Sequence, residues 1–375
     1  MKIALCVERF DPAQGGQAIW TRGFAMHLLN EGHEVHVVSC SFGNHGLAIQ
    51  PHPVPWRWAP LARARRFQAA LRTIDADVVH DASVTVWPGV WHPHTGSDLN
   101  ALDRLIAAEP PARRLRAAMS PKMRLLRAQM FWLEARQAKD AAQIVAVSEL
   151  VRTLLIRRHR GTDARIETIV NGTDTAFFVP PAGGRIKRNS ADEIVFLMVA
   201  HNPILKGLDV ALRALSILVR DGRAVRLMVA GNEGDPVWRR LAVDFGIANQ
   251  VTYLGVVHDM RPIYAASDVL VHPTRWDACS LVVLEAMASG LPVVTSPMNG
   301  AADFVVPGVS GFIQPSPEDT DALAGFMHAL LTQETRLALG QAGRAAIEAH
   351  DVRDNYRAVE ALLLRTKTVR RVTPC

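Results

Sequence analysis

The residues best suited to chemistry lie in 271–297, VHPTRWDACSLVVLEAMASGLPVVTSP. Asp277 and Glu285 stand in a D-x7-E spacing, about two helical turns apart if a helix begins after Ser280. Ser280 is a suitable N-cap for a helix over 281–289, and Gly290 stops it. The amides of Cys279, Ser280 and Leu281 then sit at the positive end of the helix dipole, a setting that suits an anion such as a phosphate. Glu285 has apolar neighbours on its helix, so its carboxylate needs donors, and sugar or ribose hydroxyls supply them. The same pattern also reads as Asp277 capping the helix and Glu285 reaching out to solvent. Lys206, in HNPILKG at 201–207, follows an expected strand over 193–200 and is placed to meet a diphosphate.

The first half offers weaker signals. Gly15 and Gly16 follow an expected strand over 2–7 and permit a close backbone approach to a ligand, or simply form a flexible loop. The third glycine of a dinucleotide fingerprint is missing, which argues against a nicotinamide cofactor. Asp75-Ala76-Asp77 has the look of a metal-binding pair, but it precedes the strand over 78–80 and so lies at the wrong end of it for a site. His92 and His94 alternate by two and share a face, yet no third ligand stands near them in sequence, so no metal is expected there. Trp87 and Trp91 either line a substrate surface or pack in the core.

At the D-x7-E stretch the chain resembles the retaining, nucleotide-sugar-dependent glycosyltransferases of the GT-B fold, specifically family 4, whose signature is E-x7-E. The following M-A-S-G-L-P-V-V is equally typical of them, while Asp277 in place of the first Glu is a departure. The resemblance extends to the glycine pair at Gly15 and Gly16, the run Gly32-His33-Glu34-Val35, the Asn171-Gly172-Thr173-Asp174 turn, and the R-x-x-x-x-K-G loop, of which Lys206 matches and the Arg is replaced by His201.

It implies donor contacts at Gly15, Gly16, His201, Lys206, Val256, Asp277, Cys279, Ser280, Leu281 and Glu285, with Glu285 on the ribose and the loop at 256–258 by the base. His94, with His92 second, matches the family's histidine facing the donor sugar, so the implied catalytic residues are His94, Asp277 and Lys206. The implied reaction moves a hexose, with glucose favoured, from a UDP-sugar to a lipopolysaccharide core or lipid-linked glycan. It proceeds with retention, without a metal or any cofactor beyond the donor substrate. No carboxylate is placed as a nucleophile, unlike the paired acids of retaining hydrolases, so a same-face attack assisted by the diphosphate is the expected mechanism. The two altered positions leave open a non-catalytic scaffold of the same fold that binds a nucleotide or glycan.

The elements that must hold these residues follow from length and pattern. A chain of 375 residues favours two domains, and 49% hydrophobic with 21% charged residues indicates an ordered globular protein. The expected class is α/β, with two doubly wound, Rossmann-like sheets: an acceptor domain over 1–180 with a crossing helix within 351–370, and a donor domain over 190–350. A linker at 180–190 and a basic tail at 367–375 complete it.

The four cysteines form no C-x-x-C pair, which fits a reducing compartment. MKIALCVERFD returns to charge too early for a signal peptide, and no run approaches the roughly 18 apolar residues of a membrane span. Residues 56–72 and 112–133 carry many Arg, no acidic side chain, and interleaved apolar and aromatic residues. With a net charge of +6 they read as a surface for anionic lipid or as a solvated face, and nucleic acid is disfavoured for want of a recognition motif. The expected location is cytoplasmic, peripheral to the inner face of the plasma membrane.

Overall fold

A computed structural model describes residues 1–181, 193–231 and 236–366. The expected linker from residue 182 onward, the tail at 367–375, and Asn232 and Glu233 lie outside the described residues. The chain forms two compact units: 1–102, 109–170 and 353–375 in the first, 103–108 and 171–352 in the second. The division thus falls between Val170 and Asn171, ten residues before the sequence-based limit of 180, because residues 171–178 bond within the second unit. Asn171 Nδ2 donates to the Cys279 carbonyl at 3.3 Å, and Arg344 donates to the carbonyls of Thr175 and Phe178 at 3.0 and 2.8 Å.

The first unit is built on seven parallel strands: β1 (Lys2–Phe10), β2 (Glu34–Phe42), β3 (Gln50–Pro53), β4 (Val78–Asp81), β5 (Val90–Trp91), β6 (Gln143–Ala146) and β7 (Ile166–Thr168). Their order is β3-β2-β1-β4-β5-β6-β7. Helices cover both faces, so the central strands are continuous apolar runs rather than alternating ones, as in the fully buried Ile3–Cys6 stretch of β1. One face packs Ile3, Leu5, Val37 and Val78 against the helix Gly16–Asn30 and against Val359, Leu362 and Leu363 of the helix Val352–Arg365. The other face packs Ala4, Cys6 and Val38 against Phe67 and Leu71 of the helix Pro60–Leu71.

The second unit has six parallel strands: β8 (Ile194–Val199), β9 (Val225–Ala230), β10 (Val251–Gly255), β11 (Val269–His272), β12 (Val293–Thr295) and β13 (Gly311–Ile313). Their order, β10-β9-β8-β11-β12-β13, is the doubly wound arrangement in which the chain reverses direction between β8 and β11. A crevice opens at such a reversal beyond the carboxyl ends of the two strands, and ligands bind there. Two edge strands had no sequence signal. β3 reads QPHP, and its prolines fit only because an edge strand leaves one row of N–H groups unused. β13 is three residues long.

Candidate active site

In the second unit both loops at the reversal carry expected residues. After β8, Pro203–Lys206 makes a single helical turn; Asn202 Oδ1 accepts the Leu205 N–H at 3.1 Å, and Gly207 leaves the turn at φ +78°. Any Cβ at residue 207 would collide with the Pro273 carbonyl oxygen, so the two loops touch backbone to backbone there. Arg275, unremarked in the sequence, locks that contact. Its guanidinium is buried, forks onto Asp209 at 2.8 and 2.9 Å and donates to the Ile204 carbonyl at 2.6 Å, while its own N–H donates to the Leu205 carbonyl at 2.8 Å. Its partner is 66 residues away in the chain, so spacing alone gave no sign of it.

This frame brings Lys206 Nζ to 2.5 Å from Asp277 Oδ2, with both side chains under a fifth exposed. His272, at the end of β11 and fully buried, places Nε2 3.4 Å from the same oxygen and 3.3 Å from Ser280 Oγ. Burial alone would raise the Asp277 pKa, but Lys206 and His272 outweigh it and hold the carboxyl well below its ordinary range. Burial and the nearby Lys206 lower the pKa of His272 against the pull of Asp277, so the ring is neutral and the pair beside it ionic.

Eight residues on, Glu285 stands on the helix Leu281–Ala288, which buries Val283, Leu284, Ala286, Met287 and Ala288 around it. Burial pushes Glu285 up to about 7, opposed by the Tyr264 hydroxyl that donates to its Oε2 at 2.7 Å. Tyr264, itself buried, is a second residue that spacing did not reveal.

Ser280 differs from expectation. It stands at the N-cap position, but its side chain makes no cap bond and turns to His272 instead. Its N–H, expected to be open to an anion, donates to Asn299 Oδ1 at 3.2 Å, and that oxygen also takes the Ala301 N–H at 3.0 Å. The amide of Ser280 is therefore already used, with Cys279 and Leu281 on either side of it. Burial raises the Cys279 thiol pKa, so it stays protonated. His201 and Val256 are exposed on the loops after β8 and β10, and among the described residues His201 bonds to neither Lys206 nor Asp277.

In the first unit, Gly15 takes φ +113° and ψ −177°, a conformation closed to residues with a Cβ, and Gly16 already begins the helix that was expected from Ala18. That helix carries Trp20, whose indole ring lies 4.4 to 5.6 Å from the rings of His80, His92 and His94. The expectation that His92 and His94 lack a third partner is wrong. β4 supplies His80, with its Nε2 2.9 Å from His92 Nδ1, and His94 stacks on His92 at 3.9 Å. His80 is 12 residues before His92 and reaches it only because β4 and β5 are neighbours. Burial drives all three rings toward the neutral form, His80 to about 3.

Trp20 Nε1 donates to Asn355 Oδ1 at 2.8 Å, and Asn355 Nδ2 donates to the Val170 carbonyl at 2.7 Å. Trp91 is buried, and its Nε1 donates to Ser83 Oγ at 2.9 Å. Ser83 has the single positive φ (+68°) of a non-glycine residue among those described and borders a cleft of about 230 Å³ lined also by Glu8, Gln17, Arg63, Thr95 and Asp98. Asp77, of the D-x-D pair, accepts the Lys2 N–H at 2.9 Å at the amino end of the sheet, remote from these groups in register.

Comparison with known proteins agrees with this architecture. Residues 14–177 match the family described as Glycosyltransferase Family 4, and residues 192–333 match Glycosyl transferases group 1. An uncharacterised glycosyltransferase of Methanocaldococcus jannaschii is 25% identical over 86% of this chain and 87% of its own length. The lipopolysaccharide glucosyltransferase WaaG of Escherichia coli is 29% identical over 39% of this chain and 40% of its own. A D-inositol 3-phosphate glycosyltransferase of Saccharomonospora viridis is 28% identical over 61% of this chain, which spans 56% of that relative.

The crystal structure of WaaG superposes with a TM-score of 0.77 at 20% identity, over 96% of this chain and 99% of that one. Anabaena HepE in complex with UDP-glucose gives 0.73 at 19%, over 97% and 100%. At such identities the likeness is one of fold: two Rossmann-like parallel sheets in a GT-B chain.

Proposed function

Since the chain belongs to the family 4, group 1 glycosyltransferases, we propose that it transfers a hexose, glucose in the first instance, from a UDP-sugar to a lipopolysaccharide core or lipid-linked glycan, with retention at the anomeric carbon. The observation that carries this reading is the Lys206–Asp277 pair at 2.5 Å, where the loops after β8 and β11 meet. Breaking a sugar–diphosphate bond puts negative charge on the leaving diphosphate, and a preorganised cation there lowers the barrier. Lys206 is that cation. On donor binding it exchanges Asp277 for phosphate oxygens, and Asp277, freed, accepts hydrogen bonds from sugar hydroxyls. Glu285, already bonded to Tyr264 through Oε2, uses its other oxygen for the ribose.

From the first unit, His94 is the candidate for a hydroxyl contact, being partly exposed where His92 is fully buried. Gly15 and Gly16 offer backbone on the same unit. The chemistry asked of these groups needs no metal on the diphosphate, since Lys206 supplies the positive charge. Support for glucose and UDP comes from the names of WaaG and HepE, and support for a lipid-linked acceptor from WaaG and from the surface of the first unit. There the helix Pro111–Met119 buries none of its residues and exposes Leu115 and Met119, and the helix Pro121–Asp140 exposes Leu125, Phe131 and Trp132 among arginines. Among the described residues no helix is long and apolar enough to cross a membrane. A peripheral seat on anionic lipid at the cytoplasmic face is therefore part of the proposal.

The test is a panel of UDP-, GDP- and ADP-sugars, with hydrolysis and transfer measured for the intact protein and for Glu285→Ala and Lys206→Ala. One donor is expected to turn over, in the presence of a chelator, with kcat/KM at least about 100-fold lower in each variant, the scale of losing a charge-stabilising donor group. The ion pair within the site also suits a scaffold that holds nucleotide without reacting. Binding of a nucleotide with no turnover of any donor, even with membrane extract as acceptor, would put that reading first.

A further inference from the structure

We propose that His80, His92 and His94 form a binding site in the first unit for a divalent transition-metal ion of the zinc class, with three imidazole ligands and an open fourth position. Among the described residues this is the only cluster of three or more His, Cys, Asp or Glu with the geometry to hold a metal, and one ring nitrogen of each lies within 4.8 Å of the others. The second observation is independent of that spacing. Three ring nitrogens, His80 Nδ1, His92 Nε2 and His94 Nε2, are buried without a hydrogen-bond partner.

A core histidine is ordinarily satisfied at both nitrogens, and a buried polar atom left unpaired costs about 1–3 kcal/mol. Three such atoms in one cluster mark a group built for something other than packing. The one hydrogen bond between these rings joins His80 Nε2 and His92 Nδ1 at 2.9 Å, and it leaves the other nitrogen of each ring unpaired.

The surroundings fit the ion. The neutral imidazole is the ligating form of histidine. Trp20 closes one side of the cluster, and Phe24 lies 5.6 Å from the His80 ring, so solvent is excluded behind it. Imidazole ligands select zinc, copper, nickel or cobalt over magnesium and calcium, which want oxygen. Zinc–nitrogen bonds of about 2.0–2.1 Å require the rings to readjust by roughly an ångström, and His94, the least buried, has the most room to do so. No carboxylate joins the set, so the bound ion keeps its double charge and takes water, hydroxide or an anion in the fourth position. This site shares His94 with the donor reading, in which that ring contacts a sugar hydroxyl, and is separate from the diphosphate, to which that reading assigns no metal.

The experiment uses the full chain stripped of metal, titrated with Zn²⁺ by calorimetry and with Co²⁺ by visible absorption. One equivalent of Zn²⁺ is expected at micromolar affinity or tighter, with the intense absorption bands of four-coordinate Co²⁺. His80→Gln and His94→Gln should each weaken binding at least tenfold; the His94 variant, altering a partly exposed ring, keeps its fold by circular dichroism. A His36→Gln, His52→Gln double variant, which removes the other close histidine pair at 2.8 Å, should leave the stoichiometry at one. The proposal is overturned if the parent protein binds no Zn²⁺, if His94→Gln binds as tightly as the parent, or if binding disappears with the His36 and His52 pair instead.

Discussion

Glu285 titrates in the physiological range because its helix buries it among apolar residues and only Tyr264 compensates. Its folded pKa, about 7, lies above the ordinary carboxylate value, so the folded state holds a proton that the unfolded chain releases between about pH 4.5 and 7. Stability from this group is whole below that window and is lost as pH rises through it. Glu285→Gln should therefore unfold at nearly the same urea midpoint as the parent at pH 4.5. At pH 8 it should be more stable by on the order of 3 kcal/mol, read from denaturation at both pH values. Parallel pH curves for the two proteins would contradict this. Residue types at the site were legible in the sequence: two carboxylates and a lysine after strands. Their partners were not, because Tyr264 is 21 positions from Glu285 and Asp209 is 66 from Arg275, and local spacing holds no information at such separations.

Elements set those distances, and two joints carry most of the load. At the first, Gly207 combines a left-handed backbone with contact against Pro273. Gly207→Ala should lose at least about 2 kcal/mol in urea unfolding, from strain and displacement of the loop, and should weaken donor binding by moving Lys206. Unchanged stability would mean that the loops separate at little cost. At the second, Asn355 ties the helix Val352–Arg365 to Trp20 and Val170. Asn355→Ala leaves the buried indole N–H unpaired and should cost about 1–3 kcal/mol, while Asn355→Asp, which keeps the acceptor, should recover part of it. The central strands and their helices were readable because buried parallel strands are apolar runs closed by glycines. The edge strands β3 and β13 were not, since prolines and three-residue lengths resemble loops until a neighbouring strand is present to pair with them.

At the scale of the whole molecule, alternation of strands and helices declared the α/β class, and the net charge of +6 suggested an acidic partner. Vesicles test this directly. The protein should sediment with vesicles rich in anionic lipid and not with neutral ones, release as salt rises, and lose at least half its binding in a Phe131→Ser, Trp132→Ser variant. Sedimentation with neither kind would remove the membrane from the proposal. The helix Val352–Arg365 has a different kind of consequence. It completes the apolar core around β1, yet all but six residues of the other unit, Asn171–Val352, are made between Val170 and it. At roughly 5–20 residues per second of synthesis, the first half emerges from the ribosome and waits about 10–40 seconds with the seat for Val359, Leu362 and Leu363 still empty. The second unit can close as it is made, so order of birth and order of folding are reversed, and the earliest part of the chain is the part with longest need of a chaperone.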